Sequence, residues 1–181
     1  MPHQGQIKAG RALFNDDIRS LFLQCPRKWG KTEFAAYVLW RWAQSNPDSH
    51  AFYIAPLLNQ AREIIWADPR LQTFGPREWL FEDSLGINNT EMRLRFKNGS
   101  FIKVDGSDNF EKHRGTRPHI IIYEEYKDHR KEFREIMRPN LSVYNAPEIF
   151  IGTPPEDCGD ESNNEFLKTA EEHKNNSKKF F

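Results

Sequence analysis

The chain has 181 residues, a length that suits one domain. Hydrophobic residues make up 38% of the chain and aromatic residues 13%, and this composition excludes a disordered chain. Lys and Arg total 26, as do Asp and Glu, so the net charge of zero gives no argument for a nucleic-acid or membrane partner. Its two cysteines, Cys25 and Cys158, favour neither a disulfide framework nor a metal cluster, and no apolar run approaches membrane-spanning length. We therefore expect a cytoplasmic protein without a membrane segment.

Hydrophobic periodicity predicts strands and helices that alternate along the chain. The predicted strands cover 18–24, 51–55, 120–123 and 148–151. The predicted helices cover 30–44, 59–67, a charged surface helix over 129–137 that ends before Pro139, and 164–173. Such alternation favours a three-layer α/β fold with a mainly parallel sheet.

Two further segments have their own signals. An Asn-Gly turn at Lys97-Asn98-Gly99 lies between the β-prone runs 92–96 and 100–104, which predicts a hairpin. Residues 68–90 carry breakers and scattered aromatics and are predicted to be irregular. Residues 1–154 hold 22 basic and 19 acidic side chains, whereas 155–181 hold 4 and 7. We expect one domain over 1–155, followed by an acidic tail or linker over 156–181.

A phosphate-binding loop is predicted between the first strand and the helix that follows it. The pattern G-x-x-x-x-G-K-[ST] is met over residues 25–32 except at its first position, where Cys25 replaces Gly. Backbone N–H groups of such a loop cradle phosphates, Lys31 would reach the β- and γ-phosphates, and the Thr32 hydroxyl would bind Mg²⁺. The alternative is a chance Gly-Lys-Thr at a helix start. The candidate nucleotide-binding residues of the loop are Cys25, Pro26, Arg27, Lys28, Trp29, Gly30, Lys31 and Thr32.

Arg27 has two interpretations that the sequence leaves equal. It is either a catalytic arginine facing the γ-phosphate, because Arg suits planar phosphate recognition, or an exposed loop cation.

The apolar strand 120–123 ends in two carboxylates, Glu124 and Glu125. In a P-loop ATPase the first acid of such a pair supports the metal and the second polarises the attacking water. We therefore assign Glu124 to the metal and Glu125 to catalysis, together with Lys31. The alternative is a strand whose polar end meets solvent.

A third strand end, over 150–154, finishes in Gly152-Thr153-Pro154. A hydroxyl residue at that sheet edge can sense the γ-phosphate, which makes Thr153 a candidate for coupling hydrolysis to movement. An ordinary turn after the strand is the alternative.

Together these segments resemble the N-terminal ATPase domain of the large terminase subunit of tailed, double-stranded DNA phages. The resemblance covers nearly the whole chain and rests on the order of its elements. These are an adenine-reading glutamine segment (Pro2-His3 with Gln6), the loop 27–32, the stretch 106–109 with Arg114-Gly115, the acidic strand 120–125 and the coupling motif 152–154.

The resemblance implies a P-loop NTPase fold that uses ATP with Mg²⁺ to drive double-stranded DNA into a procapsid. Gln6 would read the adenine edge. The implied partners are DNA, the portal protein, the small terminase subunit and further copies in a ring. The implied location is the host cytoplasm and, transiently, the procapsid portal.

The sequence departs from the family at Cys25 and at Glu124, where the family usually has Gly and Asp. Family members also carry a nuclease domain, so we expect this chain to be a fragment or a split-gene product without nuclease activity. Two other functions stay open: another P-loop, DNA-dependent ATPase of helicase type, or a degenerate nucleotide-binding module that does not hydrolyse ATP.

Overall fold

The computed structural model describes residues 1–16, 18–153, 161–175 and 179–180. The helices are α1 (Gln4–Phe14), α2 (Lys31–Ser45), α3 (Leu58–Ala61), α4 (Pro69–Gln72), α5 (Asp83–Gly86), α6 (Lys131–Val143) and α7 (Glu161–Asn175). The strands are β1 (Ser20–Gln24), β2 (His50–Ala55), β3 (Ile87–Asn88), β4 (Arg93–Arg95), β5 (Phe101–Gly106), β6 (Ile120–Tyr123), β7 (Glu148–Gly152) and β8 (Lys179–Phe180). A π-helical turn continues α3, and short 3-10 turns cover Arg77–Trp79, Phe110–His113 and Tyr126–Asp128.

All of these strands join one sheet in the order β3-β4-β5-β2-β6-β7-β1-β8. The pairs from β5 across to β8 are parallel, whereas β4 pairs antiparallel with both β3 and β5, so β4 is the one described strand of this sheet that runs in the opposite direction. The carboxyl ends of β1, β2, β5, β6 and β7 therefore meet at one edge, where ligands of open α/β sheets usually bind.

Helices cover both faces of this sheet. Along β1, Leu21 and Leu23 pack into the hydrophobic cluster that contains α2, while Phe22 between them packs into the cluster that contains α6. This alternation is the period of two that a strand imposes on its side chains. The predicted three-layer fold with a mainly parallel sheet is confirmed.

The local predictions hold best where turn chemistry or apolar runs decide the structure. The predicted strand at 120–123 is β6, and the Asn-Gly hairpin is the β4–β5 pair, where Gly99 takes a φ of 85° that favours glycine. The helix predicted over 59–67 is divided into α3 and the π-helical turn. Residues 68–90, predicted to be irregular, contain α4, α5, a 3-10 turn and β3.

The charged surface helix predicted over 129–137 is present, but the prediction that it ends before Pro139 is wrong. Helix α6 runs through Pro139 to Val143 and buries Phe133, Met137 and Leu141, which recur every fourth residue on one face. Burial of that face outweighs the one backbone hydrogen bond that proline cannot donate.

The segment after β7 falls partly outside the described residues. The helix predicted over 164–173 is present as the longer α7, which lies against β1, and β8 pairs with β1 as well. The boundary predicted between residues 155 and 156 lies outside the described residues and stays a prediction. No helix within the described part of the chain is long and apolar enough to cross a membrane.

Candidate functional site

The loop between β1 and α2 has the backbone conformation that a phosphate cradle needs. Gly30, the residue before α2, is left-handed with a φ of 85°, and Lys28 is left-handed with a φ of 66°. Pro26, Arg27 and Lys28 are exposed, so the loop projects from the sheet edge. Its N–H groups lie at the start of a 15-residue helix, where the helix dipole favours an anion.

Cys25 occupies the position where the phosphate-loop pattern has glycine, and it is buried. Its backbone N–H donates to the Gly152 carbonyl at 3.0 Å, which joins the loop to the end of β7. Burial raises the pKa of the thiol to about 11, so Cys25 is a neutral packing residue at physiological pH. The substitution is therefore accommodated within the core.

The N-terminal residues hold two carbonyls of the phosphate loop. The Gln6 side-chain amide donates from Nε2 to the carbonyl oxygens of Gly30 at 3.1 Å and Trp29 at 3.5 Å. His3 donates from Nε2 to the same Trp29 carbonyl at 2.9 Å. Because a trans peptide directs its C=O and N–H to opposite sides, holding these carbonyls towards α1 directs the N–H groups of Gly30 and Lys31 away from α1.

A cavity of about 800 Å³ lies between α1 and α2, next to this loop. Its aromatic walls, together with Gly30 of the loop in its lining, suit a planar base attached to phosphates held by the loop. The aromatic residues and the loop glycine that line it are Trp29, Gly30, Phe34, Tyr37 and Phe74.

Lys31, Glu125 and Thr153 form a three-membered cluster at the sheet edge. Lys31 Nζ lies 2.8 Å from Glu125 Oε1 and 2.6 Å from Thr153 Oγ1. The backbone N–H and the hydroxyl of Thr153 donate to the two Glu125 oxygens, both at 3.2 Å. Burial raises the pKa of Glu125, but the hydrogen bonds from Lys31 and Thr153 outweigh it and hold that pKa below its ordinary value.

Glu124, the preceding residue, has the opposite environment. Its side chain is only 3% exposed, and its Oε2 has no hydrogen-bond partner among the described residues. The Tyr53 hydroxyl is a close neighbour but lies outside hydrogen-bonding geometry. Burial and the negative charge of Glu125 raise the pKa of Glu124 to about 7. An unpaired buried oxygen of this kind fits a carboxylate that receives a cation when ligand binds.

The backbone turns sharply between these two acids. Glu125 has a φ of 44° and a ψ of 56°, a left-handed conformation that costs a non-glycine residue about 1–2 kcal/mol. The Glu124 carbonyl just before it accepts a hydrogen bond from His129 Nε2 at 2.8 Å. Burial lowers the pKa of His129 to about 4, so this ring is neutral at pH 7.

The fold thus brings together residues from four separate predicted segments: Gln6, the loop 25–32, Glu124 with Glu125, and Thr153. Pro154 lies outside the described residues. His129 and Tyr53, which lie beside the two acids, are not predicted by the sequence, since neither has a recognisable spacing from the site. The described residues contain no group of three or more His, Cys, Asp or Glu side chains arranged to hold a metal ion.

Comparison with solved structures shows the same fold in large terminases. The Thermus phage P74-26 large terminase ATPase domain is 21% identical, with a TM-score of 0.66, over 86% of this chain and 66% of that chain. A large terminase from a thermophilic bacteriophage is 14% identical, with a TM-score of 0.74, over 98% of this chain and 44% of that chain. The HK97 bacteriophage large terminase is 17% identical, with a TM-score of 0.72, over 95% of this chain and 37% of that chain.

The chain therefore spans less than two thirds of each of these three proteins. No curated protein matches it. A family profile does match, over residues 23–158, and that family is described as terminase large subunit, T4likevirus-type, N-terminal. Neither the helicase-type ATPase nor the degenerate module finds support in these comparisons. Since the profile covers the phosphate loop, the acidic strand and the coupling motif, the chain belongs to the N-terminal region of this family of terminase large subunits.

Proposed function

We propose that this chain binds and hydrolyses ATP and that hydrolysis drives double-stranded DNA into a procapsid. The observation that carries the proposal is the cluster of Lys31, Glu125 and Thr153 beside the buried Glu124, at the mouth of a phosphate loop. Two structures of the thermophilic-phage terminase that is 14–15% identical to this chain are complexes with ADP and with ATP-γ-S, which supports a nucleotide ligand for this fold.

The adenine base would occupy the cavity between α1 and α2. Most of the hydrogen-bonding capacity of the Gln6 side chain is already used within the protein. Its Nε2 donates to the carbonyls of Gly30 and Trp29, and its Oε1 accepts from the His3 N–H at 3.1 Å. The second lone pair of Oε1 remains for the base. Gln6 would therefore accept a hydrogen bond from the exocyclic amine of adenine.

Thr32 and Glu124 would hold Mg²⁺, and the unpaired Oε2 of Glu124 is the feature that fits this ion. When bound, Mg²⁺ neutralises charge on the β- and γ-phosphate oxygens. Mg²⁺ at this point would also relieve the repulsion between the two adjacent carboxylates.

Phosphate binding would exchange the partners of Lys31. In the structure its ammonium binds Glu125 and Thr153, both of which must give way when the ammonium turns to a γ-phosphate. Glu125 is then free to orient a water molecule, and Thr153 is free to report the change to the DNA-gripping parts of the motor. Arg27 is exposed on the loop; as a catalytic arginine it would approach the γ-phosphate from the solvent side, and the exposed loop cation stays the alternative.

The family supports a wider set of partners. We propose that the domain works in a homo-oligomeric ring at the portal protein, together with double-stranded DNA and the small terminase subunit, in the host cytoplasm. In a ring, a neighbouring copy could supply a further arginine, and an arginine supplied in this way can raise phosphoryl transfer by about 10³–10⁵-fold.

Steady-state ATP hydrolysis by the purified chain, with and without DNA, tests the proposal. We expect weak turnover that Lys31→Ala abolishes, since no other group of the loop replaces the ammonium. Lys97→Ala is the matched control. Lys97 lies in the turn before β5, at the end of that strand opposite to the sheet edge that holds the candidate site. Unchanged turnover in Lys31→Ala would refute the assignment of the phosphate loop.

A further inference from the structure

The side chain of His129 holds the peptide on which the conformation of Glu125 depends. Its Nε2 lies 2.8 Å from the Glu124 carbonyl, and a carbonyl only accepts, so Nε2 carries the proton. The other carbonyls of this turn have backbone partners: Asp128 N–H donates to Glu125 O, and His129 N–H donates to Tyr126 O. The imidazole is therefore the group that fixes the peptide between the two acids.

That peptide precedes a strained residue. Left-handed φ at a non-glycine residue persists only where the surroundings over-determine it. The Glu124 N–H donates to Ile54 of β2 at 2.9 Å and the Glu124 carbonyl accepts from His129, so both sides of Glu124 are fixed. Because the plane of the Glu124–Glu125 peptide is fixed, the φ and ψ angles of Glu125 direct its carboxylate to Lys31 and Thr153.

The ring itself is held in place by aromatic neighbours. The rings of Tyr123, Tyr126 and Phe133 lie 5.8, 6.2 and 6.1 Å from the His129 ring, centre to centre. Its Nδ1 is buried and has no hydrogen-bond partner among the described residues. Burying a nitrogen without a hydrogen-bond partner costs stability, so an apolar ring would suit this position better if packing were its only role. The hydrogen bond from Nε2 therefore indicates why a histidine is present here.

We infer that His129 is a positioning residue for ATP hydrolysis, which acts through the Glu124 carbonyl to set the carboxylate of Glu125. The inference rests on the proposed role of Glu125 in hydrolysis. His129 itself is not proposed to contact substrate or metal. It determines where the catalytic carboxylate lies.

Three substitutions separate this role from a merely structural one. His129→Phe fills the space without the donor, whereas His129→Gln places an amide N–H near the position of Nε2. His113→Phe is the matched control: His113 is also buried, also lies near a backbone carbonyl (Gly106 O, 3.2 Å), and also packs against Phe133. The carbonyl that His113 contacts, however, belongs to β5 and not to the turn at Glu124 and Glu125.

We expect His129→Phe to lower kcat about 10–100-fold, because a displacement of about 1 Å at a reacting group costs that much. The dissociation constant for ATP should change less than about threefold, since the phosphate loop is intact. His129→Gln should restore kcat to within about threefold of the wild-type value, and His113→Phe should leave it unchanged. Backbone ¹³C shifts of Glu125, which report its φ, should change in His129→Phe alone.

Failure of the inference differs from failure of the proposed function. If Glu125→Gln stops turnover while His129→Phe keeps it within threefold, the positioning role is refuted and the site assignment stands. If Glu125→Gln has no effect, the proposed function of Glu125 fails, and the role of His129 fails with it. Should His129→Phe not fold, ring ¹⁵N shifts of the wild-type chain decide, because protonation at Nδ1 rather than Nε2 would contradict the bond.

Discussion

Two buried carboxyl groups lie at neighbouring positions of the same sheet edge and have opposite environments. Asp105 near the end of β5 and Glu124 just after β6 flank β2 on its two sides, and each is 3% exposed. Asp105 accepts hydrogen bonds from Lys112 and from the Gly106 N–H, and Lys103 lies 3.4 Å away. Burial raises the pKa of Asp105, but these partners outweigh it and hold that pKa below its ordinary value.

Glu124 lacks such compensation, since its Oε2 has no partner among the described residues and its neighbour Glu125 is also an acid. We propose that Asp105 stabilises the fold and that Glu124 is kept available for a ligand. Most buried polar groups are hydrogen-bonded, so the unpaired oxygen of Glu124, next to a second acid, supports the proposed metal-binding role. Substitutions at Asp105, Glu124 and Glu125 test this contrast.

The largest expected effect is on turnover. Glu125→Gln should bind ATP but hydrolyse it about 10²–10⁴-fold more slowly, because the amide keeps the shape and loses the base. Asp105→Asn should change turnover less than about threefold. Single-turnover phosphate release measures both. Trapped ATP in Glu124→Gln rather than in Glu125→Gln would show that the roles of the two acids are exchanged.

The second expected effect is on stability. Asp105→Asn should lower the free energy of unfolding by about 2 kcal/mol, because Lys112 and Lys103 lose the charge that they pair with. Urea unfolding followed by circular dichroism gives the value. Glu78→Gln, which changes an exposed acid, should leave the free energy of unfolding within about 0.5 kcal/mol. An equal loss in both variants would remove the distinction.

The third effect depends on pH, and its sign follows from Asp105. A carboxyl group whose folded pKa lies below its unfolded value stabilises the fold above the unfolded pKa, and this contribution is lost as the pH falls through the folded pKa. The stability gap between wild type and Asp105→Asn should therefore be full at pH 7 and shrink below about pH 4. Unfolding free energies at pH 7 and pH 3 measure it, and a gap that widens in acid would contradict the assignment.

The smallest effect has the opposite sign. Without nucleotide or Mg²⁺, Glu124→Gln should stabilise the fold by about 1 kcal/mol at pH 8, because an amide avoids burying a charge next to Glu125. The same substitution should weaken Mg²⁺-dependent ATP binding. Thermal unfolding and nucleotide titration with and without Mg²⁺ provide the two measurements. A loss of stability comparable to that of Asp105→Asn would mean that Glu124 also serves the fold.

Features that depend only on neighbours in the chain could be predicted from the sequence. Runs of apolar residues predict β1, β2, β6 and β7, and Asn98-Gly99 predicts the hairpin, because backbone periodicity and turn geometry are local. The phosphate loop is recognisable for the same reason, since one strand end and one helix start hold all of its residues.

The different environments of Glu124 and Glu125 could not be predicted from the sequence, because they depend on residues far away in the chain. Glu124 and Glu125 are the same residue type side by side, yet among the described residues one has an unpaired oxygen and the other binds Lys31, 94 positions away in the sequence. Likewise, the continuation of α6 through Pro139 depends on an apolar face that packs against the sheet. The burial and the charge partners of a residue depend on groups that are far apart in the chain. They are therefore set only when the fold brings those groups together.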